Sequence, residues 1–146
     1  MRGSDCPWVA SVVDWNKVEA PSLAEFEAIA ERAYWRLPSR FRALTGDVVI
    51  RIEDFPADEV LDAMGIESPF DLLGLYQGVD LSRKSVLDSG AVPDMVFLYR
   101  RPILDYWAEH EETLGAIITH VLIHEIGHHF GLSDADMARI EQEAAV

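Results

Sequence analysis

The chain has 146 residues, a length typical of one domain, and its 12 lysines and arginines against 26 aspartates and glutamates give a formal net charge of −14. With 49% hydrophobic and 26% charged residues, the composition excludes a wholly disordered chain, a coiled coil and a collagen-like fibre. The acid excess argues against nucleic acids and anionic membrane surfaces as partners, because both require a basic face.

The first twenty residues show no sustained helical period. Residues 11–15 have the composition of a short strand, but residues 1–20 as a whole are interpreted as an N-terminal tail or packing arm. We expect Trp8 and Trp15 to anchor this segment to the core of a single domain over residues 21–146.

Helix and strand signals begin after this tail. Ser22 and Glu25 have capping-box spacing, and apolar residues then recur with a helical period as far as Leu37. The later predictions are a turn of helix over residues 39–44, a strand over 48–52, a helix over 57–64, a helical turn over 68–73, a strand over 74–78, a loop over 79–94, a strand over 95–99, and helices from 102 to about 108, over 112–130 and over 133–144. This order predicts a small α+β domain with three or four strands against the long helix.

Cysteine content and hydropathy indicate the compartment. Cys6 is the single cysteine, so no intrachain disulfide can form, which fits a reducing compartment. The N-terminus lacks the apolar core of a signal peptide. The most apolar stretch, residues 114–132, carries four histidines and a glutamate, unlike a transmembrane segment. We therefore expect a cytoplasmic protein.

The chemistry concentrates in the long helix, because all five histidines lie within residues 110–129. His124 and His128 are one helical turn apart, where both imidazoles can bind one metal ion. Glu125 projects about 100° around the helix from His124. Its carboxylate therefore lies beside the metal and can act as general base on a metal-activated water. Gly131 ends the helix in a left-handed conformation and lets the chain turn back.

Asp134, six residues after His128, is predicted to supply a third, oxygen ligand. Three protein ligands and one open position are typical of catalytic zinc, so we predict one Zn²⁺ per chain at His124, His128 and Asp134. Asp136 is the main alternative third ligand. Two more distant alternatives, on a later helix, are Glu141 and Glu143. These ligand types suit zinc without excluding iron or manganese.

The remaining histidines receive weaker assignments. His120 shares the face of His124 and can be a fourth ligand or an outer partner, although a packed or solvent-facing side chain is the preferred interpretation. His129 lies off this face and is expected to be exposed or capping, and His110 has no predicted partner.

Residues 124–134 read H-E-x-x-H-x-x-G-x-x-D and resemble the zincin metallopeptidases, in particular the metzincin-like pattern with aspartate in place of the third histidine. The chain also resembles a bacterial family of minimal zincin-like proteins over residues 22–142. The segments that carry this resemblance are Arg36-Leu37-Pro38 with Phe41-Arg42, Glu53-Asp54-Phe55-Pro56, and residues 67–78 and 98–104.

The resemblance implies a minimal zincin-like fold, in which a small mixed β-sheet packs against the active-site helix. It also implies zinc at the matching His124, His128 and Asp134, with Glu125 as general base. The chain departs from larger metzincins because only 18 residues follow His128. We assign Met137 to the last helix rather than to a methionine turn beneath the metal.

In zincins an edge strand pairs with extended substrate, and residues 95–99 and 75–78 are the two candidates here. Hydrolysis also needs a donor for the developing oxyanion. Four side chains qualify by type, although ordinary packing or a surface charge is the preferred role of each: Tyr76, Tyr99, Arg100 and Tyr106.

These observations predict a zinc metallopeptidase acting on a peptide or protein substrate. The alternatives are a metal-dependent hydrolase of a non-peptide substrate and a non-catalytic or regulatory binding domain with a vestigial or structural metal site. Bacterial rRNA-maturation endoribonucleases have similar ligand spacing, but they carry a third histidine and lack the glutamate. Glu125, Asp134 and the acidic composition therefore argue against RNA. Glu125 also argues against a binding domain, because a structural site needs no base.

Overall fold

The computed structural model describes residues 12–78 and 93–145. The helices in these ranges are α1 (Leu23–Arg36), α2 (Ser39–Arg42), α3 (Asp58–Met64), α4 (Arg100–Glu109), α5 (Leu114–His129) and α6 (Asp134–Ala144). The strands are β1 (Val49–Glu53), β2 (Gly74–Gln77) and β3 (Met95–Tyr99), and a 3₁₀ turn covers Pro69–Asp71. Each element predicted from residue 22 onward is present, with ends shifted by at most two residues.

The segment before α1 differs from the prediction. Residues 12–20 form neither helix nor strand, and their side chains are exposed. Trp15 is 76% exposed, so the expectation that it anchors the segment to the core is wrong. The chain is instead held at Pro21, whose carbonyl oxygen accepts a 2.6 Å hydrogen bond from Nε of Arg100. Trp8 and most of the predicted loop, residues 79–92, lie outside the described residues.

The three strands form one mixed sheet in the order β1-β3-β2. β3 is parallel to β1, with Leu98 opposite Ile52, and antiparallel to β2, with Leu98 also opposite Gly74. The predicted α+β class with a small mixed sheet is therefore confirmed. β3 is the central strand, so residues 95–99 are excluded as the edge strand, and β2 is the remaining candidate.

Helix α5 lies at the centre of the domain. It contacts β2, β3, α1, α4 and α6, and its buried residues cover most of its circumference. Each fully buried isoleucine in it, such as Ile118 or Ile123, stabilises the fold by about 1.5–3 kcal/mol. The side chain of Thr113 caps its N-terminus by accepting a hydrogen bond from the Ala116 N–H. Across the described ranges, no helix combines the length and apolarity needed to span a bilayer.

Helix α5 ends in a Schellman motif that reverses the chain. Gly131 has φ +76°, a left-handed conformation that costs glycine little. The Leu132 N–H donates to the Gly127 carbonyl at 2.9 Å, and the Gly131 N–H donates to the His128 carbonyl at 3.2 Å. The Ser133 side chain then caps α6, so Asp134 is the first residue of that helix.

The two helices approach closely where Gly127 faces Met137. Met137 lies in α6 and is fully buried, as predicted. A Cβ added at Gly127 would lie 2.8 Å from Cγ of Met137 and would also overlap its Sδ. A larger residue at position 127 would therefore displace the buried Met137 side chain from its place between the two helices.

The variant Gly127→Ala is expected to lower the free energy of unfolding by about 1–2 kcal/mol, because overpacking exceeds the gain in helix propensity. Gly115→Ala in the same helix is the matched control, since no atom lies within 4 Å of its added Cβ. The control should raise the free energy of unfolding by about 0.4–1 kcal/mol. Urea denaturation measures both, and equal stabilisation by the two variants would contradict the close approach.

Candidate metal centre

Three histidines form a row along the exposed face of α5. The rings of His120 and His124 stack with centroids 4.0 Å apart, and those of His124 and His128 meet edge-on at 5.5 Å. The four-residue spacing aligns them because residues one turn apart share a face. His124 is the middle member, and its side chain is 27% exposed.

Glu141 reaches this row from α6. Its carboxylate oxygens lie 2.9 and 3.0 Å from Nδ1 of His120, and its Oε1 lies 3.9 Å from Nε2 of His124. One ligand atom from each of the three residues lies within 4.8 Å of the other two. Two imidazole nitrogens and a carboxylate oxygen are ligands that zinc commonly takes, so these residues fit a divalent ion.

The predicted ligands His128 and Asp134 lie outside this three-residue group. Both nevertheless affect His124. Burial is the largest influence on the pKa of His124 and lowers it. The positive charge of His128 lowers this pKa further, and the negative charge of Asp134 raises it. A lowered pKa favours the neutral imidazole, which is the form that binds metal.

Asp136, the main alternative to Asp134, is engaged elsewhere. The Asp136 N–H donates to the side chain of Ser133, and the Asp136 carboxylate pairs with Arg139. A hydrogen bond from the Ser133 side chain is the largest influence that lowers the pKa of Asp136. Both aspartates lie in the first turn of α6, where the helix dipole favours negative charge. Because Asp136 is engaged with Ser133 and Arg139, Asp134 is the better candidate for the third metal ligand.

Glu125 lies beside this row, on the side of α5 that faces the sheet. Burial raises the pKa of its carboxyl, while the charge of His128 and a hydrogen bond from the Tyr76 backbone N–H partly oppose that shift. Its Cγ would lie 3.4 Å from a Cβ added at Gly74. The absence of a side chain at Gly74 thus lets β2 rest directly on Glu125.

The contact with Tyr76 occurs at the outer edge of β2, which among the described residues pairs only with β3. The Tyr99 N–H donates to the Leu73 carbonyl, which makes this pair a hydrogen-bonded pair of the antiparallel ladder. Because such pairs alternate, the backbone groups of Gly74 and Tyr76 point away from β3. Glu125 therefore accepts a hydrogen bond from an outward-facing N–H of the edge strand.

His129 fixes β2 over the helix. Its ring stacks on Tyr76 with a centroid distance of 4.0 Å, and its Cε1 would lie 2.9 Å from a Cβ added at Gly78. His129 is exposed, as expected, and its role is to pack against the strand. His110 stacks on Tyr106, and its Nδ1 lies 2.7 Å from the Tyr106 carbonyl oxygen, a partner that the sequence did not indicate.

The four oxyanion-donor candidates have other contacts. The three tyrosines pack against neighbours, as the preferred interpretation had it, but Arg100 is not the expected surface charge, because its side chain is only 13% exposed. The Tyr76 hydroxyl donates to Asp94 at 2.7 Å, and Arg100 holds Asp54 at 3.1 Å in addition to Pro21. Tyr99 is 2% exposed, and burial raises the pKa of its hydroxyl to about 12. Tyr106 stacks on His110.

Three features of the site had an indirect sequence signal or none. Glu141 follows Asp134 by seven residues, two helical turns, so the sequence places both on one face of the last helix, but it does not indicate the contact of Glu141 with His120. The sequence allowed two interpretations of Gly74, a strand boundary or a point of close approach, and did not indicate Glu125 as its neighbour. The Tyr76 N–H carries no side-chain signal at all, because it is a backbone group.

A groove of about 380 Å³ opens next to Glu141, between the end of α1, the first half of α5 and the end of α6. Its walls are mostly small side chains, with Arg36 as the cationic member: Arg36, Thr113, Gly115, Ala116, Thr119, Glu141, Ala144 and Ala145. The groove gives solutes access to the carboxylate of Glu141.

Comparison with known proteins identifies one family. The family model described as zincin-like metallopeptidase matches residues 45–144, which include β1 to β3 and helices α3 to α6. The match covers more than half of the chain and contains the histidine row, Glu125 and both carboxylates of α6 that lie near His124. No curated protein matches this sequence.

Proposed function

Because this chain belongs to the zincin-like metallopeptidase family, we propose that it is a zinc-dependent peptidase in which Glu125 is the general base. The observation that carries this proposal is the position of Glu125. Its carboxylate is half-buried, lies beside the histidine row, and accepts a hydrogen bond from the Tyr76 N–H, which points away from β3. Burial of a carboxylate lowers the stability of the fold, and a general base for hydrolysis is a function that accounts for a carboxylate at this point.

The proposed ligands are His124, His128 and Asp134, one from the middle of α5, one from its end and one from the start of α6. The Schellman turn supports this set, because it returns the chain directly from His128 to Asp134. The electrostatic influence of both residues on His124 supports it as well. A divalent ion held there would lower the pKa of a water molecule towards neutrality and polarise a substrate carbonyl.

The chain's own residues supply the proton transfer. Glu125 takes a proton from the attacking water and passes it to the departing amine, as a general base that becomes a general acid. The Tyr76 N–H orients the carboxylate, and the packing of Gly74 on α5 excludes water from the opposite side. The reaction consumes one water and one amide bond and yields a carboxylate and an amine.

The proposed substrate is an extended peptide or an exposed protein segment. Gly74 and Tyr76 direct backbone groups outward, and pairing along such an edge aligns a peptide by main-chain hydrogen bonds. A peptide on this edge would pass next to Glu125. This geometry favours a peptide over a compact small molecule, for which an edge strand offers no recognition.

Elemental analysis of protein purified without chelators or metal resin tests the ligand set. We expect about one zinc per chain in the wild type, as in other catalytic zinc sites. The single variants His128→Ala and Asp134→Ala should each lower zinc affinity at least tenfold. His129→Ala is the matched control, because it removes a neighbouring imidazole that stacks on Tyr76 instead of facing the row.

A peptide-library assay on the zinc-loaded protein completes this test. Cleavage that disappears with a chelator and returns with Zn²⁺ is the expected result. Unchanged Zn²⁺ affinity together with unchanged peptide cleavage in both variants would overturn the ligand set. Stoichiometric zinc without hydrolysis of any peptide would favour the alternative of a binding domain with a structural metal.

A further inference from the structure

The seam between α5 and α6 carries more metal-ligating groups than one tetrahedral site uses. On α5 these groups are His120, His124 and His128, and on α6 they are Asp134 and Glu141. His120 and His128 are eight residues apart, and Asp134 and Glu141 are seven apart, so each pair spans about two helical turns. The short reversal at Gly131 runs the two helices past each other, with Gly127 against Met137 between the ends.

This arrangement sets one carboxylate at each end of the histidine row. Glu141 lies against His120, at 2.9 and 3.0 Å from Nδ1, which is two turns away from the reversal. Asp134 begins α6 at the reversal, close in sequence to His128. His124 lies between His120 and His128 in this row, and its Nε2 is 3.9 Å from Oε1 of Glu141.

We propose that His120, His124 and Glu141 form a second divalent-metal position, which shares His124 with the position assigned above to the peptidase metal. Competition between the two positions rests on the proposed function. The second position itself is independent of that function, because its three ligand atoms already lie within 4.8 Å of one another.

The distances are close to those of a bound ion. Zinc bonds of about 2.0–2.2 Å to nitrogen and oxygen, at tetrahedral angles, separate two ligand atoms by about 3.4 Å. Nε2 of His124 and Oε1 of Glu141 are 3.9 Å apart, and Nδ1 of His120 is 2.9 Å from Oε2. Both distances are within about 0.5 Å of that separation, and the two imidazole nitrogens lie within 4.8 Å of each other. Metal binding displaces any proton shared between His120 and Glu141 to solvent.

The two positions exclude each other when both use Nε2 of His124, because one ring nitrogen binds one ion. An ion at the second position is held about one helical turn further from His128 than an ion between His124 and His128. It therefore leaves the proposed peptidase site without its central ligand. Metal bound at the second position therefore inhibits the proposed peptidase. This position fills when the free metal concentration is high, and the groove beside Glu141 is the route by which the metal enters.

Zn²⁺ titration against a competing chelator, on four variants, tests the second position. His128→Ala/Asp134→Asn removes the first position and should still bind one Zn²⁺ per chain. His120→Ala/Glu141→Gln removes the second and should also bind one. His124→Ala removes both and should bind none, and the wild type should bind one. Circular dichroism melts confirm that each variant is folded.

A second comparison holds even if one double variant fails to fold. In the His128→Ala background, adding Glu141→Gln should weaken Zn²⁺ binding at least tenfold. Adding Glu143→Gln is the matched control, because Glu143 pairs with Arg40 and lies outside the three-residue group. Its addition should leave the Zn²⁺ affinity within a factor of two.

Three outcomes would overturn the second position or its exclusivity. No Zn²⁺ in a folded His128→Ala/Asp134→Asn variant removes the position. Equal effects of Glu141→Gln and Glu143→Gln show that Glu141 is not a ligand. Two Zn²⁺ ions in the wild type disprove the sharing of His124. The proposal of peptidase activity is tested separately: it fails if protein loaded with one Zn²⁺ hydrolyses no peptide.

Discussion

Replacing Glu125 with glutamine is expected to lower the rate of peptide hydrolysis by about 10²- to 10⁴-fold, the usual contribution of a general base. Glutamine keeps the size of the side chain and can still accept the hydrogen bond from the Tyr76 N–H through its amide oxygen. It has no carboxylate to take the proton. The loss should therefore appear in kcat, with zinc content and KM little changed.

The control for this variant is Glu112→Gln, which neutralises an exposed carboxylate just before α5. It should keep the wild-type rate. Steady-state kinetics on a peptide from the library screen, with zinc measured on the same samples, separates catalysis from metal loss. A Glu125→Gln protein that cleaves at the wild-type rate would remove Glu125 from the mechanism.

The variant Gly74→Ala is expected to lower the free energy of unfolding by about 1–3 kcal/mol, the usual cost of overpacking. The added Cβ would lie 2.7 Å from Cγ1 of Val121 and 2.9 Å from the carbonyl oxygen of Phe97. The second contact is with backbone of the central strand, which cannot move without breaking the sheet. Relief requires β2 to move away from α5, so peptide hydrolysis should fall as well.

Urea denaturation measures this change, with Gln77→Ala as the control from the same strand. Gln77 is exposed, so its truncation should change the free energy of unfolding by less than about 0.5 kcal/mol. A Gly74→Ala protein as stable as the control would contradict the direct packing of β2 on α5. A destabilised variant with full activity would show that the position of β2 does not limit hydrolysis.

Local patterns in the sequence were sufficient for the secondary structure. The capping box at Ser22 and the left-handed Gly131 each act within a few residues, and both occur as those patterns predict. The β-branched and apolar run over residues 95–99 likewise predicted β3. These features depend on hydrogen bonds and dihedral angles that neighbouring residues determine.

The arrangement of these elements was less accessible from sequence. Which strand is central depends on pairings between residues more than 40 positions apart, such as Ile52 with Leu98. Trp15 is apolar and suggested an anchor, but a side chain is buried only if the fold provides a surface for it. The contact of Glu141 with His120 follows from the antiparallel packing of α5 and α6, which periodicity does not specify.

The outer edge of β2 has a consequence for self-association. An exposed strand edge is a template on which another copy of the chain can add a strand, and such addition is a common start of aggregation. Here the edge strand spans only four residues, Gly74–Gln77, and one of its outward N–H groups is already bound by the charged Glu125. An incoming strand, whether a substrate or a second copy, therefore has one N–H fewer to pair with. The residue proposed for peptide hydrolysis thus also shortens the template that the edge offers to other copies of the protein.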